Sequence, residues 1–346
     1  MGLTEERKNE HIEISLKENV QFKEKTNGFE DVELCYETLP EINKKEIELE
    51  KRFLGKKFNA PVMVTAITGG TKKAREINKD IALACEKTGI GMGLGSMRAM
   101  IEKKELSETY FVRDVAPEIF LAGNIGVMQL NEFSVKEIEN ALKEVKADAI
   151  AVHVNAAQEA FQEEGDTNFR GALEAINKFA GESNYPVIVK EVGHGINAKT
   201  ARELEKTKVK AIDVEGSGGT SWIGIDSLRG NKEIGETYWD FGIPTAASLI
   251  EVRKNFKREV IASGGIRNGM EIVKALVMGA ELGGIALPVL EAQEKGGTEG
   301  VENYLNRIIE EIRTGMFLVG AKNLKELKGK KYIVKGNLRN WVENKG

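Results

Sequence analysis

Short apolar segments alternate with amphipathic segments along most of this chain of 346 residues. The apolar segments show no polar–apolar alternation and end in Gly, Asn, Thr or Ser, which is typical of parallel strands buried on both faces. The predicted strands are Pro61–Ala66, Gly89–Leu94, Ile119–Gly123, Asp148–Val154, Val187–Val192, Ala211–Val214, Val260–Ser263 and Gly283–Leu287. The segments between them have helical spacing and include Ala74–Lys87, Val135–Val145, Phe169–Ala180, Ala198–Thr207 and Ala246–Lys254.

About eight repeats of strand and helix predict an α/β fold, most economically a (β/α)8 TIM barrel. A doubly wound open sheet is the competing architecture. Residues 1–60 precede the first predicted strand, and their polar, helix-forming segments predict a cap over the substrate site. We expect the barrel to span residues 61–320, closed by an amphipathic helical extension near Glu302–Phe317. Residues 321–346 are expected to form a Lys-rich tail with little core of its own.

Two glycine-containing junctions late in the chain predict a phosphate site. The first, Ile261–Gly269, leads into a predicted helix over Met270–Met278, and the second is Gly283–Pro288. Glycines at a strand-to-helix junction let backbone N–H groups approach a phosphate, and the helix N-terminus adds positive dipole. Two such junctions in tandem match the phosphate site after the last two strands of a (β/α)8 barrel. The pattern therefore indicates an enzyme that holds a phosphorylated cofactor or substrate.

Composition argues against several classes of function. Fifty basic and 54 acidic side chains give a net charge of −4, which disfavours nucleic-acid or membrane-surface binding. Two cysteines, Cys35 and Cys85, cannot form a disulfide framework, and the N-terminus is too charged for a signal peptide. No apolar run approaches the roughly 20 residues of a membrane span. We therefore expect a cytoplasmic protein that binds neither nucleic acid nor membranes.

Polar side chains follow six of the predicted strands, at the end of the barrel where chemistry takes place. These strand-end segments are Thr65–Gly70, Gly93–Arg98, Gly123–Asn124, His153–Glu159, Lys190–Glu191 and Glu215–Trp222.

Each of these residues also has a purely structural alternative. Lys190 begins in the barrel wall, where a lysine is costly unless it pairs with an anion or an electron-rich ring, so a functional role is favoured. Arg98 reads either as a surface arginine or as a binding residue after a Gly-Ser turn. His153 is interpreted either as a core histidine whose ring nitrogens are hydrogen-bonded or as a site residue. His11, taken alone, is interpreted as a charged surface residue. Glu215 reads as a partner for its own loop backbone.

The same residues carry a resemblance to a known family. The motifs stand in the order and spacing found in the type 2 isopentenyl-diphosphate isomerases, from Arg7 to about Pro288. They are Arg7-Lys-x-Glu-His11, Thr68-Gly-Gly, Gly95-Ser-x-Arg-Ala99, Gly123-Asn-Ile-Gly126, His153-x-Asn-x-x-Gln-Glu159, Glu164-Gly-Asp166, Val189-Lys-Glu-Val-Gly193, Gly218-Gly-Thr-Ser-Trp222 and Ala262-Ser-Gly-Gly-Ile-Arg267. The His153–Glu159 motif together with the N-terminal motif is the most specific part.

The resemblance implies a flavin mononucleotide (FMN) enzyme on a (β/α)8 barrel that depends on Mg²⁺ and on reduced flavin, with NADPH as the flavin's reductant. It further implies interconversion of isopentenyl and dimethylallyl diphosphate, and assembly as a homo-tetramer or homo-octamer.

The resemblance also implies a role for each matched residue. FMN would contact Thr65, Ala66, Ile67, Thr68, Ser96, Asn124, Lys190 and Thr220, with Gly264, Gly265, Ile266, Arg267, Ala286 and Leu287 around its phosphate. The substrate would contact Arg7, Lys8, His11, Ser96, Met97, Arg98, His153, Asn155 and Gln158. Catalysis would involve Gln158, His153 and Lys190, and Glu159 would ligate Mg²⁺.

The chain departs from the family pattern at a few positions. Met97 stands where glutamine is common, Leu287 where arginine often follows, and Glu215 where a small residue is usual. A carboxylate beside a reduced flavin adds negative charge, so either Glu215 points away or the loop differs. An FMN-dependent dehydrogenase or oxidase on the same barrel stays open through Ser217 and Ser221, and a protein that binds FMN without activity is a third alternative.

Overall fold

A computed structural model describes residues 3–230 and 232–343 of the chain. Eight parallel strands close into a barrel, in the order β4 to β11 with β11 pairing back to β4, which confirms the (β/α)8 prediction and excludes the open sheet. The strands are β1 (Val32–Leu34), β2 (Lys51–Phe53), β3 (Lys56–Phe58), β4 (Val62–Val64), β5 (Gly91–Gly93), β6 (Leu121–Gly126), β7 (Ala149–His153), β8 (Val187–Lys190), β9 (Ala211–Asp213), β10 (Glu259–Ala262), β11 (Leu282–Ile285) and β12 (Tyr332–Val334).

Helices surround the barrel. They are α1 (Leu3–Lys17), α2 (Lys72–Thr88), α3 (Arg98–Glu102), α4 (Gln129–Glu132), α5 (Val135–Val145), α6 (Ala156–Glu159), α7 (Ala172–Glu182), α8 (Ala198–Glu205), α9 (Trp222–Arg229), α10 (Lys232–Tyr238), α11 (Thr245–Asn255), α12 (Gly269–Val277), α13 (Leu287–Leu318), α14 (Leu324–Lys328) and α15 (Gly336–Glu343). Short 3-10 helices lie at Phe29–Asp31, Lys44–Glu46 and Lys104–Thr109.

Local sequence explains where many of these helices begin. Helix α5 has a capping box, in which the Ser134 side chain accepts from the Glu137 backbone N–H and the Glu137 side chain accepts from the Ser134 backbone N–H. Asn268 caps α12 by accepting from the backbone N–H of Glu271. The interior of α13 is interrupted at Gly296 and Gly297, whose backbone angles are not helical. The amphipathic segment expected near Glu302–Phe317 is therefore the second half of a kinked helix.

The N-terminal end of the barrel is closed by a hairpin. Strands β2 and β3 pair antiparallel and place Phe53 and Phe58 against Phe120, all three fully buried. The Phe53 and Phe120 rings meet edge to face with centroids 5.6 Å apart, an arrangement that aromatic pairs favour. This end of the barrel is therefore filled with apolar side chains, and the opposite end is left for the site.

The segments before and after the barrel pair with each other. Strand β1 runs antiparallel to β12, with Val32 opposite Val334. Leu327 and Leu338 of the C-terminal segment are buried in the main core, so this segment shares the barrel's core. After α1, residues up to the hairpin are mostly extended rather than helical, which differs from the helix-forming segments expected there. Residues 1–2 and 344–346 of the predicted segments lie outside the described residues.

Candidate functional site

A cavity of about 440 Å³ opens at the C-terminal end of the barrel strands, where the polar strand ends were expected to meet. The sequence-predicted site residues that line it are Arg7, Lys8, His11, Thr65, Ala66, Ile67, Thr68, Ser96, Arg98, Asn124, His153, Asn155, Gln158, Glu159, Lys190, Thr220, Gly264, Gly265, Ile266, Arg267, Ala286 and Leu287. The barrel thus gathers residues from positions 7 to 287 around one space.

Met97 is the predicted residue that the structure does not bring to the cavity wall. Its side chain is fully buried, and its sulfur packs near the Cα of Gly123 in β6. Its backbone N–H donates to the Asn124 carbonyl at 2.8 Å. The Met97 side chain therefore belongs to the barrel wall, and the predicted contact of Met97 with the substrate stays a prediction that backbone groups would have to fulfil.

A glycine cradle lies after β10. Gly264 and Gly265 have φ angles of +102° and +70°, in the left-handed region that residues with a Cβ rarely adopt. A Cβ on Gly264 would overlap the backbone of Gly216, and one on Gly265 would press against the Gly218 carbonyl. The cradle opens next to the start of α12, and Ala286 caps the start of α13 beside the same cavity. Two helix N-termini and a backbone without side chains fit the phosphate of FMN.

Arg267 follows this cradle and is largely buried. Burial lowers the pKa of its guanidinium, and nearby Tyr304 and Glu271 oppose that shift. Its Nη2 donates to the Gln21 side-chain oxygen at 2.7 Å, which ties the N-terminal segment to the cradle.

The wall of the cavity near β8 and β9 carries a cluster of buried charges. The Lys190 ammonium forms an ion pair with the Glu215 carboxylate and donates to the Glu191 carbonyl at 2.6 Å. Asp213 lies on the neighbouring strand and accepts from the Ser263 hydroxyl at 2.6 Å. Burial raises the pKa of both Asp213 and Glu215, and the charge of Lys190 opposes the rise in each. Glu215 therefore points into the cavity, which answers the question that its unusual identity posed.

His153, at the end of β7, is held neutral. Its Nδ1 lies 2.8 Å from the Asn124 side-chain oxygen, so the ring donates from Nδ1 and leaves Nε2 as its other polar atom. Burial lowers the pKa of His153 to about 3, with the charges of Lys190 and Arg7 adding to the effect.

Asp226 of α9 is a site residue that the sequence reasoning missed. Its carboxylate is fully buried and accepts from the His11 ring at 2.9 Å, from Gln158 at 3.1 Å and from Arg229 at 3.1 Å. Burial opposes ionisation, but these partners, His11 first, lower the pKa of Asp226. Asp226 thus joins helix α1 to Gln158. An acid directly after the apolar run Trp222–Ile225 is the signal that could have revealed it.

The cations at the cavity mouth are held by partners. Lys8 Nζ donates to the Tyr110 hydroxyl at 2.8 Å, and that hydroxyl donates to the Ser96 carbonyl at 2.7 Å. Arg7 pairs with Glu164 at 3.3 Å. Arg98 is 42% exposed and pairs with Glu102 at 2.7 Å, which places its guanidinium at the rim. All three cations line the cavity that Gln158 and Glu159 of α6 also line.

Glu159 presents a carboxylate to the cavity. Its Oε1 accepts from Asn155 at 2.7 Å and its Oε2 accepts from the Asp166 backbone N–H at 2.8 Å, and each oxygen keeps a further lone pair. Across residues 3–230 and 232–343, no group of three or more His, Cys, Asp or Glu side chains is arranged to hold a metal ion. A single hard carboxylate fits Mg²⁺, which takes few protein ligands and keeps waters or phosphate oxygens.

Comparisons with known proteins identify the family. A model of the FMN-dependent dehydrogenase family matches residues 4–154 and 122–334. The isopentenyl-diphosphate delta-isomerase of Pyrococcus furiosus is 48% identical over 351 residues, covering 98% of this chain and 89% of that protein. The protein of the same name from Methanosarcina mazei is 40% identical over 354 residues, covering 100% and 96%.

A solved structure of a mutant flavocytochrome b2 with pyruvate bound has the same fold, with a TM-score of 0.71 at 19% identity over 97% of this chain and 85% of that chain. In the part of the chain that the structure describes, no helix is both long and apolar enough to cross a membrane. The chain belongs to the FMN-dependent dehydrogenase family and, within it, to the isopentenyl-diphosphate delta-isomerases.

Proposed function

We propose that this protein interconverts isopentenyl diphosphate and dimethylallyl diphosphate, using reduced FMN and Mg²⁺, in isoprenoid biosynthesis. The observation that carries the proposal is the meeting, in one cavity, of a glycine cradle for one phosphate group and a second set of cations beside Glu159. A cofactor phosphate and a substrate diphosphate need two such sites.

FMN is held through its phosphate by Gly264, Gly265 and the first residues of α13. Residues 65–68, Lys190 and Thr220 line the same cavity and would contact the flavin ring. Reduced FMN, when bound, supplies the groups that give and take protons in moving the double bond.

The substrate diphosphate is bound at the mouth by Arg7, Lys8 and Arg98. A diphosphate carries about three negative charges, and guanidinium forks suit phosphate oxygens bidentately. Glu159 would hold the Mg²⁺, which would supply further positive charge for the diphosphate. His153 and Asn155 orient the diphosphate, and His153 does so as a neutral ring because its pKa is far below neutrality.

Gln158 is the side chain whose proposed role is most directly connected with the proton transfer. Its Oε1 accepts from Asn155 and its Nε2 donates to Asp226, so its orientation is fixed from both sides. An amide held in this way orients a proton by hydrogen bonding and is not itself a strong acid. Helix α1 closes the mouth, which keeps water from a reacting carbon that has cationic character.

The alternative, an FMN-dependent dehydrogenase or oxidase, has less support. Ser217 and Ser221 kept that alternative open, but neither is among the described residues that line the cavity. Ser221 instead caps α9 and donates to the Trp239 carbonyl at 2.8 Å. A binding protein without activity is disfavoured because Gln158, Glu159 and Arg98 all line the cavity.

Several further properties belong to the proposal. Residues 1–60 act as a substrate-binding cap, residues 61–320 as the FMN-binding barrel and residues 321–346 as a tail that is not an independent domain. NADPH reduces the flavin, the protein is cytoplasmic, and it assembles as a homo-tetramer or homo-octamer.

The proposal is tested with the purified protein under anaerobic conditions, with FMN reduced by dithionite or NADPH, Mg²⁺ and isopentenyl diphosphate. Proton NMR is expected to detect the methyl signals of dimethylallyl diphosphate, and no signals with oxidised FMN. The Glu159→Gln variant is expected to raise the Mg²⁺ concentration needed for half-maximal rate. Absence of conversion with FMN bound would leave the dehydrogenase as the activity to pursue.

A further inference from the structure

Glu215 is the residue of the cavity that the proposed reaction does not use. It follows β9 with a φ angle of +33°, a left-handed conformation that is strained for a residue with a Cβ. Its side chain is nonetheless buried and turned into the cavity. Strain of this kind persists where the surrounding contacts hold the residue in place.

The contact that holds Glu215 is the ion pair with Lys190. Other titratable groups also face this pair from the elements packed around it, namely Glu191, Asp213 and His153, and His194 lies beside Glu191. Glu191 is already satisfied, because its Oε2 accepts three backbone N–H groups from residues 192–194. Asp213 accepts from Ser263. Glu215 is therefore the carboxylate that acts directly on the Lys190 ammonium.

Lys190 lines the same cavity as the glycine cradle. A flavin anchored in that cradle would share the cavity with the ammonium, in surroundings where charges interact more strongly than in water. Two-electron reduction places negative charge on the ring unless a second proton follows. The net charge that the protein presents to the ring therefore sets how easily the flavin is reduced.

We propose that Glu215 is a positioning residue that holds the Lys190 ammonium and offsets its charge, and so limits how strongly this site stabilises reduced FMN. The proposal rests on the FMN site proposed above. It explains why a charged residue occupies a strained position in the loop. A small residue there would relieve the strain, and it would leave Lys190 unopposed.

The test is the midpoint potential of bound FMN in the purified holoprotein at pH 9, measured by equilibration with dyes of known potential. Glu215→Gln keeps the side-chain shape and removes the charge, and it is expected to shift the reduction equilibrium at least tenfold toward reduced FMN, about 30 mV for a two-electron couple. Glu215→Gly removes the strain as well as the charge. It is expected to give the same direction of shift, because it too leaves the Lys190 ammonium without its carboxylate.

The matched control is Glu139→Gln. Glu139 is a buried carboxylate of α5 that accepts from the Asn184 backbone N–H at 2.7 Å and is not among the cavity-lining residues. Its loss is expected to lower stability without moving the potential. A potential shift in this variant equal to that of Glu215→Gln would overturn the proposal.

A double-mutant cycle separates action through Lys190 from a direct effect of the carboxylate. In a Lys190→Met background, the buried Glu215 side chain loses the cation that favours its ionised form, so Glu215→Gln is expected to change the reduction equilibrium less than twofold. An unchanged tenfold effect in that background would contradict the positioning role. The readout is independent of turnover, so an FMN protein without isomerase activity that shows the shift would disprove the proposed function alone. An active isomerase without the shift would disprove this inference alone.

Discussion

Single residues hold this site together through buried acceptors rather than through surface ion pairs. Asp226 binds His11, Gln158 and Arg229 with a carboxylate that has no exposed area. Removing one acceptor from such a network leaves several donors without a partner, which costs more than the loss of a single exposed pair.

Replacing Asp226 by Asn is expected to lower kcat/KM for the isomerisation by roughly 10- to 100-fold, because the amide cannot accept all three hydrogen bonds and Gln158 loses its fixed orientation. The measurement is steady-state conversion with saturating FMN. FMN affinity is expected to stay within about twofold, since Asp226 does not line the cavity. Weaker FMN binding with a normal kcat would show that Asp226 supports the flavin instead of the cap.

His153 gives a prediction about pH. Its pKa is about 3 in the folded protein and has its ordinary value of 6.5 in the unfolded chain. Between these values the unfolded state binds one more proton at this residue, so its contribution to the free energy of unfolding falls as pH falls from 6.5 toward 3. Above pH 6.5, His153 is neutral in both states and does not change the free energy of unfolding. Replacing His153 by Gln is therefore expected to reduce the loss of stability between pH 7 and pH 5, measured by urea unfolding.

NMR of the imidazole rings supplies the check. The sequence has three histidines, and the signal that disappears in the His153→Gln variant identifies His153. That signal is expected not to shift between pH 5 and pH 8. A titration near pH 6.5 would mean that the ring is solvated or charged in the folded protein.

At the residue scale, the sequence could predict side chains that end strands, because the barrel brings all strand ends to one face. Thr65, Asn124, His153 and Lys190 were found in this way and line one cavity. Asp226 and Tyr110 lie in helical or irregular segments, where no local pattern marks which face meets the site. The Met97 side chain, one position beyond Ser96, turns into the barrel wall, and the strand-end pattern alone does not indicate this orientation.

Among the elements, the junction between β10 and α12 is the most constrained. Its glycines approach the backbone of the loop after β9, so neither can carry a side chain without moving that loop. The cradle is therefore a property of two loops together.

Replacing Gly264 by Ala is expected to weaken FMN binding at least tenfold, or about 1.4 kcal/mol, because the new Cβ overlaps the backbone of Gly216 at a φ of +102°. The measurement is titration of the apoprotein with FMN by absorbance. Gly296→Ala is the matched control, since a Cβ there meets no atom within 4 Å and its φ is −152°. Equal FMN affinities in the two variants would show that the cradle is not part of the phosphate site.

Element positions in the barrel could be predicted because each strand is a short apolar run between polar segments. Val135–Val145 was predicted with the bounds that the structure gives it, and Val187–Val192 differs from β8 by two residues. Strands β1, β2, β3 and β12 were not predicted. Their pairing partners lie either in a tight hairpin of charged residues or about 300 residues away, and neither arrangement leaves a periodic signal in the local sequence.

For the whole molecule, stability and function are separated between the two ends of the barrel. The three phenylalanines fill the N-terminal end, and the site occupies the other. Loss of packing at the N-terminal end of the barrel is therefore expected to leave the site at the C-terminal end intact.

Replacing Phe53 by Ala is expected to lower the free energy of unfolding by about 3–5 kcal/mol, because a fully buried ring is lost and its neighbours cannot close the space. Unfolding in guanidinium is the measurement, with FMN affinity expected to stay within twofold. A parallel loss of FMN affinity would show that the hairpin also shapes the cavity.

The pairing of β1 with β12 has a consequence for synthesis of the protein. Val32 meets Val334, and Lys335 pairs with Glu33, 302 positions earlier in the chain. A ribosome adding about 5–20 residues per second makes the first strand many seconds before its partner emerges. Strand β1, within the N-terminal cap, therefore waits, unpaired, until nearly the whole chain has been translated. Docking of β12 onto β1 is then among the last events in folding, and this part of the cap is fixed only at the end of translation.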